Sequence, residues 1–211
     1  ADIQENSLIA LSPELLNTLL KDHTMSRDGK QCNIFWATSD YEHLGNGYEY
    51  QSQILPELIT GKNGNVVMPR VMKHKSTQST RSREMAEVFT PSWICNAQNN
   101  LIDEAWFGRK DVFNKEITTN DGTNSWQVNE DRITFPEGKT WKDYVRDNRM
   151  EITCGEAPYL VSRYDTTTGE FIPVEQRIGL LDRKLRVVSE NTTTSSEWLE
   201  AVRDAYTVSY T

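Results

Sequence analysis

The sequence predicts an α/β portion over residues 87–211, preceded by an α+β portion over residues 1–86. Three observations carry that division. A Thr-Pro pair at 90–91 opens the best-specified helix of the chain, a short strand-like run at 149–153 leads straight into Cys154-Gly155, and residues 177–190 read as a strand followed by a helix. Strand and helix signals therefore alternate in the second half, whereas the first half mixes one clear helix with strand-like segments around Gly-containing turns.

Ser12-Pro13-Glu14 ahead of Leu15, Leu16, Leu19 and Leu20 supplies an N-cap, a proline at the first helical position and one apolar stripe, so a helix should end near Asp22. The polar stretch from His23 to Lys30, with Asp28-Gly29, is a turn signal, and Asn33-Ile34-Phe35-Trp36-Ala37 has strand composition. Residues 40–50 hold Gly45, Gly47 and three tyrosines, as loops do. Glu57–Thr60 and Asn65–Met68 flank Gly61-Lys62-Asn63-Gly64, a hairpin signature. The segment 70–83 that follows is rich in Ser, Thr and basic residues and reads as an extended arm.

Thr90 as N-cap and Pro91 at the first position start a second helix with Trp93, Ile94, Ala97, Leu101 and Ala105 on one face, and Gly108 stops it. Residues 114–140, with Asn120-Asp121-Gly122 and Pro136-Glu137-Gly138, are a loop or a short inserted hairpin. Trp141–Asn148 can form a helix. Arg149–Thr153 and Arg177–Leu181 read as strands, and Asp182–Glu190 as a helix carrying Leu185, Val187 and Val188. A last helix starts at Ser195, with Leu199, Val202 and Ala205 inward.

Hydrophobic residues at 36% and charged residues at 26% describe a chain that folds around a core. It contains no run of eighteen apolar residues and no basic-then-apolar start, which points to a cytoplasmic protein rather than a membrane one. Cys32, Cys95 and Cys154 are odd in number and widely spaced, against both a disulfide framework and a zinc site. His23, His43 and His74 share no metal-ligand spacing, so no metal is expected. Neither a Gly-x-Ser-x-Gly elbow nor a phosphate-binding Gly-Lys-Ser/Thr loop is present. The net charge of −8 repels nucleic acid, yet Arg70, Lys73, Lys75, Arg81 and Arg83 form a run with no acid among them. Such a run either grips phosphates or is a solvated loop.

Three segments carry the functional reading. Glu87-Val88-Phe89-Thr90-Pro91-Ser92-Trp93-Ile94 puts an aromatic-Thr-Pro at a helix start, where N–H groups can receive a carboxylate; alone, it reads more simply as a well-capped helix. Glu151-Ile152-Thr153-Cys154-Gly155-Glu156-Ala157-Pro158-Tyr159-Leu160 places a Gly turn at a strand end, where a missing side chain lets backbone approach a ligand. Ile178-Gly179-Leu180-Leu181-Asp182 reads as a strand ending in an acid, with a helix cap as the alternative role for Asp182.

In this order the three segments resemble the cofactor-binding half of the N6-adenine DNA methyltransferases of bacterial restriction-modification systems. The resemblance runs from about Glu87 to Val188. It implies a Rossmann-like sheet, S-adenosylmethionine as cofactor, and a pocket to which Phe89, Thr90, Pro91, Glu151, Cys154, Gly155, Ala157 and Asp182 converge, with Glu151 and Asp182 on adjacent parallel strands and Asp182 at the ribose. Ala157 stands where the family prefers a second Gly; its methyl group and its restriction of positive φ work against close approach of the cofactor.

The family's Asn/Asp-Pro-Pro-Tyr/Phe loop, which grips the flipped adenine, occurs nowhere in the 211 residues. The chain also ends soon after the second cofactor strand, so the parallel sheet is expected to be incomplete. The resemblance therefore implies the cofactor-binding half alone, inactive by itself, with no catalytic residue. Its missing sheet edge would be covered by a protein partner or a second copy, and DNA would be met through the phosphate backbone at Arg70, Lys73, Lys75, Arg81 and Arg83. The alternative is a non-enzymatic DNA- or protein-binding module on a decayed methyltransferase scaffold.

Overall fold

The structure, a computed structural model, describes residues 5–27, 29–68, 88–152 and 155–210. The chain divides into two compact units, Asp2–Met68 and Pro69–Thr211. The sequence places the division eighteen residues later, and residues 69–87 lie outside the described ones, as do Arg70, Lys73, Lys75, Arg81 and Arg83 of the basic run.

In the first unit, helices α1 (Glu5–Leu11) and α2 (Pro13–Leu20) pack through Leu8, Leu16 and Leu20. Residues 33–37 are extended but make only isolated bridges, Lys21 to Asn33 and Phe35 to Gln53, rather than a strand. Trp36 is the anchor of that stretch: its indole N–H donates to the Gly47 carbonyl at 2.9 Å, and its ring meets Tyr41 and Tyr48 at 4.7 and 5.6 Å. The expected hairpin around Gly61 is instead a short helix α3 (Pro56–Ile59) followed by a 3-10 turn, Gly61–Asn63. Pro56 pre-sets the helical φ and cannot donate to a ladder, which favours the helix. Asn6 then clasps the turn, its amide accepting from the Gly61 N–H at 2.6 Å and donating to the Gly61 carbonyl at 3.2 Å.

The second unit begins with α4 (Ser92–Phe107), which Gly108 ends in the left-handed region at φ 69°. The buried face of α4 is not the apolar stripe that its sequence suggests. Trp93 and Leu101 are exposed, while Cys95, Asn96, Asn99 and Asp103 are buried. The polar face goes inward because every member finds partners there. Arg183 donates to Asp103, Asn96 and Asn100, Asn96 and Asn114 exchange amide hydrogen bonds, and the Tyr144 hydroxyl donates to Asp103 at 2.8 Å.

Residues 114–128 form an antiparallel hairpin, β1 (Asn114–Thr118) with β2 (Asn124–Val128), turning at Asp121-Gly122. Helix α5 (Trp141–Val145) starts from a capping box between Thr140 and Asp143. A two-residue strand β3 (Arg149–Met150) pairs in parallel with β4 (Ser209–Tyr210). Between them lie α6 (Leu180–Asn191) and α7 (Ser195–Thr207), the latter opened by a Thr194/Glu197 capping box. In α7 Ala201 and Ala205 face inward and Leu199 is exposed, contrary to the inward Leu199 expected from sequence. The core joins Phe107, Phe113 and Tyr144 to Leu180, Val187 and Val188. Among the described residues the strands make two two-stranded sheets.

Candidate functional site

Phe89, Thr90 and Pro91 immediately precede α4, and Pro91, one residue later than expected, is its N-cap. The Phe89 ring lies against Gly155, which adopts φ +53°; a Cβ there would meet the ring at 3.4 Å. The Phe-Thr-Pro segment and the Gly turn, far apart in sequence, are thus neighbours. Ala157 shares the left-handed conformation, at φ +52°. Cys154 lies outside the described residues.

Behind this contact sits a small buried cluster. The Thr90 carbonyl accepts from the Thr166 hydroxyl at 2.9 Å and from the Cys95 thiol at 3.8 Å. Glu151 is buried and accepts from the backbone N–H groups of Leu160 at 2.9 Å and Tyr159 at 3.4 Å. Burial raises its carboxyl above the usual range despite those two donors. Burial, reinforced by the Glu151 and Asp165 carboxylates, pushes the Cys95 thiol up to about 12. Cys95 is therefore a packed thiol and no nucleophile at neutral pH.

No family model, curated protein or solved structure matches this chain. Its site must be read from its own geometry.

Two of the expected roles differ from that geometry. The helix-start donors that the sequence offers to a ligand are partly used, because the Asp165 carboxylate accepts from the Ser92 N–H at 2.7 Å. Asp165 also accepts from the N–H groups of Thr167 and Thr168; burial raises its pKa, but the hydrogen bonds from Thr167 and Ser92 outweigh it and hold the carboxyl below its usual value. Asp182 is not at the end of a strand. It lies in the first turn of α6, and Arg177–Leu181 forms no strand. Glu151 and Asp182 therefore do not sit on adjacent parallel strands. Instead both hold the turn at 158–160 and its exit: Asp182 accepts from Ser162 N–H at 2.8 Å, two residues beyond the Leu160 N–H that Glu151 holds. The physical reason is that α6 already starts at Leu180: Gly179 is its cap, where any Cβ would collide with the Leu160 carbonyl, and the Leu180 and Leu181 N–H groups donate to the Tyr159 and Leu160 carbonyls at 2.9 and 3.0 Å.

The structure adds residues that sequence reading missed. Asn99 donates to the carbonyls of Tyr159 at 2.8 Å and Ile178 at 3.0 Å, joining α4 to both motif segments. Asp165 carried a usable signal in Asp165-Thr166-Thr167-Thr168-Gly169, a run typical of side-chain-closed turns. Asn99, a polar residue within a helix, carried none. Beside the cluster an open groove of about 820 Å³ runs along Pro91, Trp93, Asp165 and the β1–β2 turn. Among the described residues no three His, Cys, Asp or Glu side chains are grouped to hold a metal, and no helix is long and apolar enough to cross a membrane.

Proposed function

We propose that this chain is the cofactor-holding part of an N6-adenine DNA methyltransferase of a bacterial restriction-modification system, acting in the cytoplasm, and that it transfers no methyl group by itself. One observation carries the reading: the Phe89 ring packs on Gly155, so the two segments that resemble the family's cofactor loops meet. The fit to S-adenosylmethionine is local. Gly155 is exposed with a left-handed backbone, so a ligand can reach its main chain, and Phe89 offers an apolar face beside it. When bound, the cofactor supplies an electrophilic methyl group. Phe89 and the Gly155 backbone hold it, while Glu151, Asn99 and Asp182 keep the loop in shape through the backbone bonds described. The chain has no Asn/Asp-Pro-Pro-Tyr/Phe loop to receive the adenine amine protons, and orienting both reactants removes roughly 7–11 kcal/mol of such a barrier.

Calorimetric titration with S-adenosylmethionine tests the reading, with Gly155→Val as the blocked variant. Saturable heat from the wild type, lost in Gly155→Val, is expected. So is the absence of labelled methyl transfer to unmethylated DNA. No binding by the wild type refutes the cofactor reading, and label in adenine refutes the inactivity.

A second reading, a non-enzymatic module on a decayed scaffold, is favoured by the internal use of the Ser92 N–H, Glu151 and Asp182. On either reading the basic residues Arg70, Lys73, Lys75, Arg81 and Arg83 contact DNA phosphates, and replacing Lys73, Lys75, Arg81 and Arg83 by Ala should flatten the salt dependence by about 0.9 in log-log slope per phosphate released. A protein partner or second copy covers the exposed sheet edge at β3, where Met150 is 65% exposed and Ile152, just beyond the strand, 73%.

A further inference from the structure

We propose that the groove between the start of α4, the β1–β2 turn and residues 165–176 docks a basic polypeptide segment of a partner protein. The groove is about 820 Å³ and open to solvent. Its walls carry Trp93, Trp126 and Phe171, with the carboxylates of Asp121, Asp165 and Glu170 among them, and the described residues that line it include no Lys or Arg.

The aromatic walls are fixed rather than loose. Trp126 donates its indole N–H to the Gln176 carbonyl at 2.9 Å, and Phe171 meets Tyr164 edge-on with centroids 6.4 Å apart. Trp93 and Phe171 nevertheless leave 38% and 58% of their surface exposed. Two of the acids are equally fixed. Asp121 accepts from the Thr119 hydroxyl and the Thr123 N–H, and Asp165 from Ser92 and Thr167. Hydrogen bonds hold both carboxyls below their usual pKa, so the groove stays anionic at neutral pH.

Carboxylates set among aromatic faces attract guanidinium and ammonium groups twice, by charge and by the ring quadrupole. The same charge repels phosphates, so this face is unsuited to nucleic acid. Between the charges the lining is amide and hydroxyl, from Asn120, Asn124, Thr123 and Gln176. Those groups pair with peptide N–H and C=O groups, which a polyamine lacks. An Arg- or Lys-bearing peptide matches all three features, and Trp beside Arg is a common pairing at the centre of protein interfaces.

The test is fluorescence anisotropy of the full chain with a fluorescein-labelled peptide of alternating Arg and Ala. Trp93→Ala and Phe171→Ala leave the net charge unchanged, and each should weaken binding by about fivefold or more. Glu170→Gln should weaken it similarly, whereas Glu200→Gln, which removes the same charge on α7 outside the groove, should not. Circular dichroism checks that each variant is folded, and Trp93→Ala with Glu170→Gln decides the matter if Phe171→Ala unfolds. No binding, equal effects of Glu170→Gln and Glu200→Gln, or indifference to both aromatic changes overturns the proposal. So does displacement of the peptide by spermine or by a single-stranded oligonucleotide at comparable concentration.

Discussion

Ala157 sits at φ +52°, a left-handed conformation that costs a residue with a Cβ about 1–2 kcal/mol. Replacing it by glycine removes that cost. The change also widens the unfolded ensemble, which takes back about 0.4–1 kcal/mol. The turn itself is held by backbone bonds, from Leu160 N–H at 3.2 Å and Val161 N–H at 2.9 Å to the Ala157 carbonyl, and these survive the substitution. Ala157→Gly should therefore stabilise the protein by about 0.5–1 kcal/mol. For a chain of this length that raises the melting temperature by roughly 1–4 °C. The mirror change, Gly155→Ala at φ +53°, should destabilise by a similar amount, since the added Cβ meets Phe89 at an ordinary 3.4 Å and the cost is almost wholly backbone strain. Urea unfolding of the three proteins at one pH measures both effects. A lower midpoint for Ala157→Gly, or no loss for Gly155→Ala, would show that the turn does not hold the left-handed conformation on which the cofactor reading leans.

Lys184 is fully buried, and burial followed by the nearby Arg149 charge lowers its pKa from 10.5 to about 8. Between those values the unfolded chain binds the extra proton, so this group makes stability rise with pH across about 8 to 10.5, by up to roughly 3 kcal/mol. The difference between wild type and Lys184→Met in urea midpoint should show that slope, and a flat difference refutes it. Arg183→Met strands the buried Asp103 carboxylate and should cost about 3–5 kcal/mol by the same measurement; a cost under about 1 kcal/mol would mean the network is not formed. Iodoacetamide on the native protein, mapped by peptide mass, should label half-buried Cys32 and spare Cys95, whose thiol is buried and raised to about 12. Comparable labelling of both would show that the Cys95 cluster opens.

Local chemistry made several elements legible in the sequence. Helices opening at Pro13, near Thr90-Pro91 and at Ser195 follow from caps and proline, and the Asp121-Gly122 turn from residues that tolerate its dihedrals. The meeting of Phe89 with Gly155 was legible only through resemblance, because nothing local ties two such distant segments together. The expected strand at 177–181 gives way to the start of α6 at Leu180, whose first N–H groups go to the Tyr159 and Leu160 carbonyls, partners that no window of sequence contains.

Residue order alone marks the starts of α2, α5 and α7, the glycines that permit left-handed turns, and the acid-free cationic run ahead of α4. Those properties depend on neighbours a few residues apart. Tertiary structure alone decided which face of α4 is buried. Its apolar stripe is outward because Arg183, Asn114 and Tyr144 arrive from elsewhere to satisfy Asn96 and Asp103. Tertiary structure also decided that Asp165 takes the Ser92 N–H and that Asp182 holds Ser162. A buried polar group must find a partner, and which partner it finds depends on what the fold brings within reach.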